Sequence, residues 1–176
     1  MSVPKSRRGL SHMEFYHNAI TLRKEITLLL LRDFGIKDKI RRATVVTENM
    51  SKEDATKVTE ILNKYDCSSI LYKYPDWIIN TERDNILRIC HRLVMNITQA
   101  NSIYPTNVTE YQSRRLFQDY AIGNCEQLLQ EMQYIISIIP VNSNKYMRYV
   151  DMIETEIALL KGWRKSDNKI LKNLTK

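Results

Sequence analysis

A chain of 176 residues, 43% apolar and 27% charged, can bury a hydrophobic core as one domain without disulfides or metals to hold it. Its four glycines and four prolines are too few for a fold of short strands and frequent turns, which leaves long helices. The net charge of +7 excludes an acidic, solvating chain, and no run approaches the roughly 20 apolar residues of a membrane span.

Residues 1–10 read as a basic tail in which Lys5, Arg7 and Arg8 meet no acid. The tail has no apolar stretch of the kind a secretory leader needs, so a cytoplasmic protein is expected. Ser11 with Glu14 three residues on has the form of a capping box. Phe15, Ala19, Leu22, Ile26 and Leu29 follow at the spacing of one buried helix face, ending near Gly35. Residues 36–73 interrupt this scheme and read as an insertion. They hold a basic run with Lys37, Lys39, Arg41 and Arg42, a β-branched stretch at 44–47, and a short amphipathic helix opened by Ser51 and carrying Val58, Ile61 and Leu62.

Pro75 suits the first turn of the next helix, whose stripe is Ile79, Ile86, Cys90, Leu93, Ile97 and Ala100, stopping before Pro105. The following stripe starts beyond Thr106 or Asn107 and reads Ile122, Cys125, Leu129, Met132, Ile136 and Ile139, up to Pro140. The last, capped by Ser143 or Asn144, reads Tyr146, Val150, Ile153, Ile157 and Leu160. Short connections after the second and third stripes imply antiparallel neighbours. The expected fold is all-α: one domain over 1–176, an antiparallel four-helix bundle with the inserted short helix between its first two helices. Residues 166–176 are expected to form a basic C-terminal tail. Over residues 161–176, Lys161, Arg164, Lys165, Lys169, Lys172 and Lys176 stand against one acid, Asp167, so the positive charge sits at the two ends of a balanced body.

Signs of catalysis are missing. No phosphate-binding glycine loop, no nucleophile elbow and no paired metal-ligating histidines occur, so no enzyme, metal or cofactor is expected. Cys67, Cys90 and Cys125 are widely spaced and read as reduced, partly buried thiols. Helical HEPN-type ribonucleases carry an arginine and a histidine with four to six residues between them on a bundle helix. Arg7 and His12 have that spacing but precede the first helix, and Arg83 with His91 fall outside it. Glu154 and Glu156 point in different directions on their helix and are expected, with Glu131 and Asp151, to solvate helix surfaces. Basic residues interleaved with aromatics are the better signal. Arg114 and Arg115 lie among Tyr111, Phe117 and Tyr120, and Trp163 lies beside Lys161, Arg164 and Lys165. Such sets hold phosphates while a ring stacks on an unpaired base. The competing reading makes Phe117 and Trp163 packing residues at helix ends.

Three stretches resemble a known family. They are Val3–Arg8 with Ser11, Met13, Glu14 and Phe15; Ala100–Tyr104 followed by Glu110–Arg115; and Leu160–Asp167. Together they are similar to the Avd-like proteins, the accessory variability determinants of diversity-generating retroelements in bacteria and their phages, related to the proteins encoded in 23S rRNA intervening sequences. The resemblance spans roughly residues 1–34 and 74–170. It implies a four-helix bundle that assembles as a homopentamer, binds a reverse transcriptase and its template RNA or cDNA, and supports mutagenic cDNA synthesis without catalytic residues. It makes Lys5, Arg8, Arg114, Arg115, Arg164 and Lys165 candidates for RNA or polymerase contact. The 36–73 segment departs from the family's short first loop. The alternative is a structural or protein-interaction module of a phage or mobile element with no direct nucleic-acid role.

Overall fold

Each long helix follows from apolar residues recurring every third or fourth position and from a chain with little to break it. The structure, a computed structural model, describes residues 9–36, 49–65, 76–139 and 141–175. The elements are α1 (Glu14–Leu30), α2 (Lys52–Lys64), α3 (Asp76–Ser102), α4 (Val108–Ile138), α5 (Asn144–Ser166) and α6 (Asn168–Leu174). Single 3-10 turns at Leu10–His12 and Asp33–Gly35 flank α1, and one isolated antiparallel bridge joins Ile36 to Val141.

The protein is all-α among the described residues. α1 packs on α3 and α5, and α4 packs on the same two helices, so the four share one core. Side-chain ties fix their directions. Asn18 of α1 donates to Glu156 of α5 while Glu25 meets Arg148, and Asn96 of α3 donates to Asn124 of α4 while Arg114 reaches Ala100. In each pair one number rises as the other falls, so the partners run antiparallel.

The stripes expected for α1 and α3 are buried in full. In the stripe expected for α4, Ile122, Cys125, Met132 and Ile139 are buried, and two positions are displaced by one residue. Leu128 and Ile135 are buried, whereas Leu129 and Ile136 stand half-buried at its flank. Adjacent apolar pairs at 128–129 and 135–136 made either choice compatible with helical spacing. In α5, Tyr146, Ile153 and Leu160 are buried, but Val150 and Ile157 are only half-buried, and Glu156 takes the core position beside Ile157.

Two expected caps form and two do not. Asn107 Oδ1 accepts from the Glu110 backbone N–H, and Glu110 accepts in turn from the Thr106 N–H and hydroxyl. Those Thr106 bonds hold the Glu110 carboxyl below its ordinary value. Ser51 Oγ accepts from Asp54 N–H to open α2. Ser11, by contrast, sits in the 3-10 turn, its carbonyl 2.7 Å from His17 Nε2, and α1 starts at Glu14 with no side-chain cap. Ser143 is already right-handed and cannot cap α5; Asn142 Oδ1 accepts from the Asn144 N–H instead.

The reversal after α1 is built on two left-handed residues, Phe34 (φ 61°) and Gly35 (φ 72°). A bulky residue in that region costs about 1–3 kcal/mol. Complete burial of the Phe34 ring and the bond from Tyr146 Oη to the Phe34 carbonyl (2.8 Å) offset it.

The short helix expected at Ser51 is present as α2, yet it buries no residue. Ile61 is exposed, with Val58 and Leu62 half-buried. The basic run at 37–42 and the β-branched stretch at 44–47 lie outside the described residues. Ile61→Ser is expected to change the stability measured by urea unfolding by less than about 0.5 kcal/mol. A loss above about 1 kcal/mol would place Ile61 in the main core.

Candidate nucleic-acid interface

Residues expected to trail as a basic tail instead continue the fold. Asp167 keeps right-handed torsions (φ −68°, ψ −15°), so helical spacing carries across from α5 into α6. Ile170, Leu171 and Leu174 are half-buried, and Asn168 ties α6 to the start of α4 by accepting from Tyr111 Oη (3.2 Å) and Arg115 Nη1 (2.9 Å). Lys161, Lys165, Lys169 and Lys172 follow at steps of four, four and three, and all are exposed.

Asp167, the one acid in this stretch, is turned inward and is 6% exposed. Its carboxylate accepts from Arg114 Nε (2.6 Å) and Nη2 (3.4 Å) and from the buried Gln118 Nε2 (2.8 Å). The outer face from Lys161 to Thr175 therefore displays cations with no acid among them. Lys169 and Lys172 were counted in the charge but not singled out as candidates. Only the continued helix puts them in line with Lys161 and Lys165.

The geometry redirects two of the candidates. Arg114 spends four of its five N–H groups inside the molecule: two on Asp167 and two, through Nη1, on the carbonyls of Ala100 (3.2 Å) and Ile103 (2.9 Å) at the end of α3. Its side chain is 12% exposed, so it has no open fork for a phosphate. Trp163 stacks on Phe15 with centroids 4.3 Å apart and planes at 13°, and the Arg114 guanidinium lies 5.1 Å from the indole centroid. Those contacts pack Trp163 between α5, α1 and α4.

Arg115 is half-buried and bonds Tyr111 Oη (2.8 Å) as well as Asn168. Arg164 pairs with Asp119 through Nε (2.5 Å) and Nη2 (3.1 Å) at the surface. Lys161 and Lys165 flank that pair on the exposed side. Lys5, Arg7 and Arg8 lie outside the described residues.

Other titratable groups sit inside the molecule. Glu156, expected on a solvated surface, is fully buried; one oxygen accepts from Asn18 Nδ2 (2.8 Å) and the other has no partner. Burial lifts its pKa to about 7 against the lowering effect of the Asn18 bond. Burial also raises the buried Glu82, helped by the charge and bond of Glu131, which is therefore not alone on its face. Burial pushes the Cys90 thiol up to about 12 and raises Cys125 as well, so both stay protonated. Cys67 lies outside the described residues. Among the described residues no three His, Cys, Asp or Glu side chains gather as metal ligands, and no helix is long and apolar enough to cross a membrane.

Comparison of the chain with protein-family models, curated proteins and solved structures returns no match.

Proposed function

We propose that this chain is a non-catalytic, nucleic-acid-binding accessory protein, built as an antiparallel four-helix bundle with an inserted short helix. The observation that carries the reading is the exposed row Lys161, Lys165, Lys169 and Lys172 on α5 and α6, whose neighbouring acid Asp167 is neutralised inside by Arg114. A one-sign row along a helix follows a phosphate backbone, and each phosphate neutralised releases condensed counterions. The sequence resemblance to the Avd-like proteins extends the proposal to a cytoplasmic partner of a diversity-generating retroelement. It would bind the reverse transcriptase and its template RNA or cDNA, assembled as a homopentamer. Within that reading the RNA meets the lysine row.

Replacing Lys161 and Lys165 together by Ala tests it. The expected result is weaker binding to single-stranded RNA and a log–log salt slope shallower by about 1.4, because single strands lose roughly 0.7 per contact. The exposed Lys57 of α2 serves as control and should change neither. Unchanged affinity and slope in the double variant would remove the α5–α6 row from the interface. A second reading, a protein-interaction module without nucleic-acid binding, draws on the exposed Ile61 of α2 and Tyr65 just past its end, which suit docking to another protein.

A further inference from the structure

A groove of about 440 Å³ opens between α3 and α4, within the roughly 300–1,000 Å³ range of small-molecule sites. Amide side chains come from both helices, and they are chained: Asn96 Nδ2 donates to Asn124 Oδ1 (2.8 Å), and Asn124 Nδ2 donates to Gln127 Oε1 (3.3 Å). Bonds in such a chain polarise one another, and Asn96 and Asn124 are themselves buried. The chain runs toward Gln127, an exposed amide with both a donor and an acceptor end.

Aromatic rings complete the lining. Phe117 and Tyr120 meet edge to face with centroids 6.3 Å apart, and Tyr120 is 52% exposed. Gly123 lies between the rings and the amides in the middle of α4. A glycine there costs about 1 kcal/mol relative to Ala. Neither packing nor backbone explains it, since a Cβ at Gly123 would meet nothing within 4 Å and its φ is not positive. Gly123 lines the groove, so a side chain at this position would occupy groove space. The groove also borders the basic face, because Asp119 in its wall is the partner of Arg164.

We infer that this groove receives a single unpaired nucleobase of the strand whose phosphates lie on the lysine row. The base would stack on Tyr120 and present an edge with adjacent donor and acceptor to Gln127. An amide matches such an edge in two bonds, as Asn and Gln do with adenine. This inference rests on the nucleic-acid reading above, and the test separates the two.

The probes are a short fluorescent oligo(dA) and an abasic strand of equal length, which carry the same phosphates. The full chain should bind oligo(dA) roughly five- to a hundredfold more tightly, the span expected for one stacked base. Gly123→Leu fills the groove from a position with room for it, and it should abolish that preference while leaving affinity for the abasic strand and its salt slope unchanged. Tyr120→Ala should reduce the preference without filling the groove. Retained helicity and melting temperatures no lower than that of the wild type in both variants exclude misfolding as the cause. Equal wild-type affinity for the two strands, or a preference that survives Gly123→Leu, would overturn the base site and leave the lysine row standing. A change in sedimentation of Gly123→Leu with the preference intact would also overturn it, giving the groove to a second copy of the chain. Failure of both strands to bind would defeat the nucleic-acid reading itself.

Discussion

Arg114→Ala is expected to destabilise the protein by about 3–5 kcal/mol, the cost of leaving a buried charge without its partner. Asp167 would keep only the amide of Gln118, and the carbonyls of Ala100 and Ile103 would lose the donor that ends α3. Arg114→Lys should recover only part of the loss. A lysine ammonium cannot face a carboxylate bidentately while also bonding two carbonyls and lying against the Trp163 ring. The double change Arg114→Ala with Asp167→Asn should be less damaging than Arg114→Ala alone, because no buried charge is then abandoned. Urea unfolding of the three variants measures this. A loss below about 0.5 kcal/mol for Arg114→Ala would return Arg114 to the set of residues available for an external phosphate.

The second large effect is a dependence of stability on pH set by Glu156. Its pKa is raised from 4.5 to about 7 in the folded protein. The folded state therefore holds a proton that the unfolded chain releases, and stability falls as pH rises from 4.5 to about 7, by about 3 kcal/mol in all. Above that range the loss is complete and levels off. Glu82 is shifted in the same direction and adds to the trend. Glu156→Gln mimics the protonated side chain and keeps an acceptor for Asn18. It should match the wild type near pH 5 and exceed it by roughly 3 kcal/mol near pH 8. Unfolding curves at the two pH values decide the matter. Parallel behaviour of wild type and variant would mean that Glu156 is solvated in the native state.

Glu156, Gln118 and Asp167 also show why the sequence yields the helices more readily than the site. Apolar periodicity located α1 and α3 and their buried faces because apolar residues fill most core positions there, with Glu82 and Asn96 the polar exceptions in α3. In α5 the row that faces the core runs through Tyr149, Glu156 and Trp163 alongside Tyr146, Ile153, Leu160 and Asp167. A polar residue in such a row registers as a gap, so apolar spacing alone points to the neighbouring Val150 and Ile157. The signal was still present: stepping three or four residues on from Ile153 reaches Glu156, Leu160, Trp163 and Asp167. An acid that lands on a core row needs a buried partner. For Asp167 that partner is Arg114, 53 residues earlier in the chain. Long-range pairing of this kind leaves no local pattern, which is why Arg114 and Trp163 looked like surface residues for RNA. The lysine row was hidden for a different reason. Lys169 and Lys172 align with Lys161 and Lys165 only because the chain stays helical through Asp167, where a tail would have let them diverge.

The central claim is that phosphates lie along Lys161, Lys165, Lys169 and Lys172. Anisotropy of a labelled single-stranded RNA, titrated with the full chain across a series of salt concentrations, tests it most directly. The expected result is measurable binding at low salt, with log affinity falling linearly in log salt at a slope of about −2.8 if each of the four lysines neutralises one phosphate. Absence of binding at the lowest salt, or an affinity indifferent to salt, would contradict it.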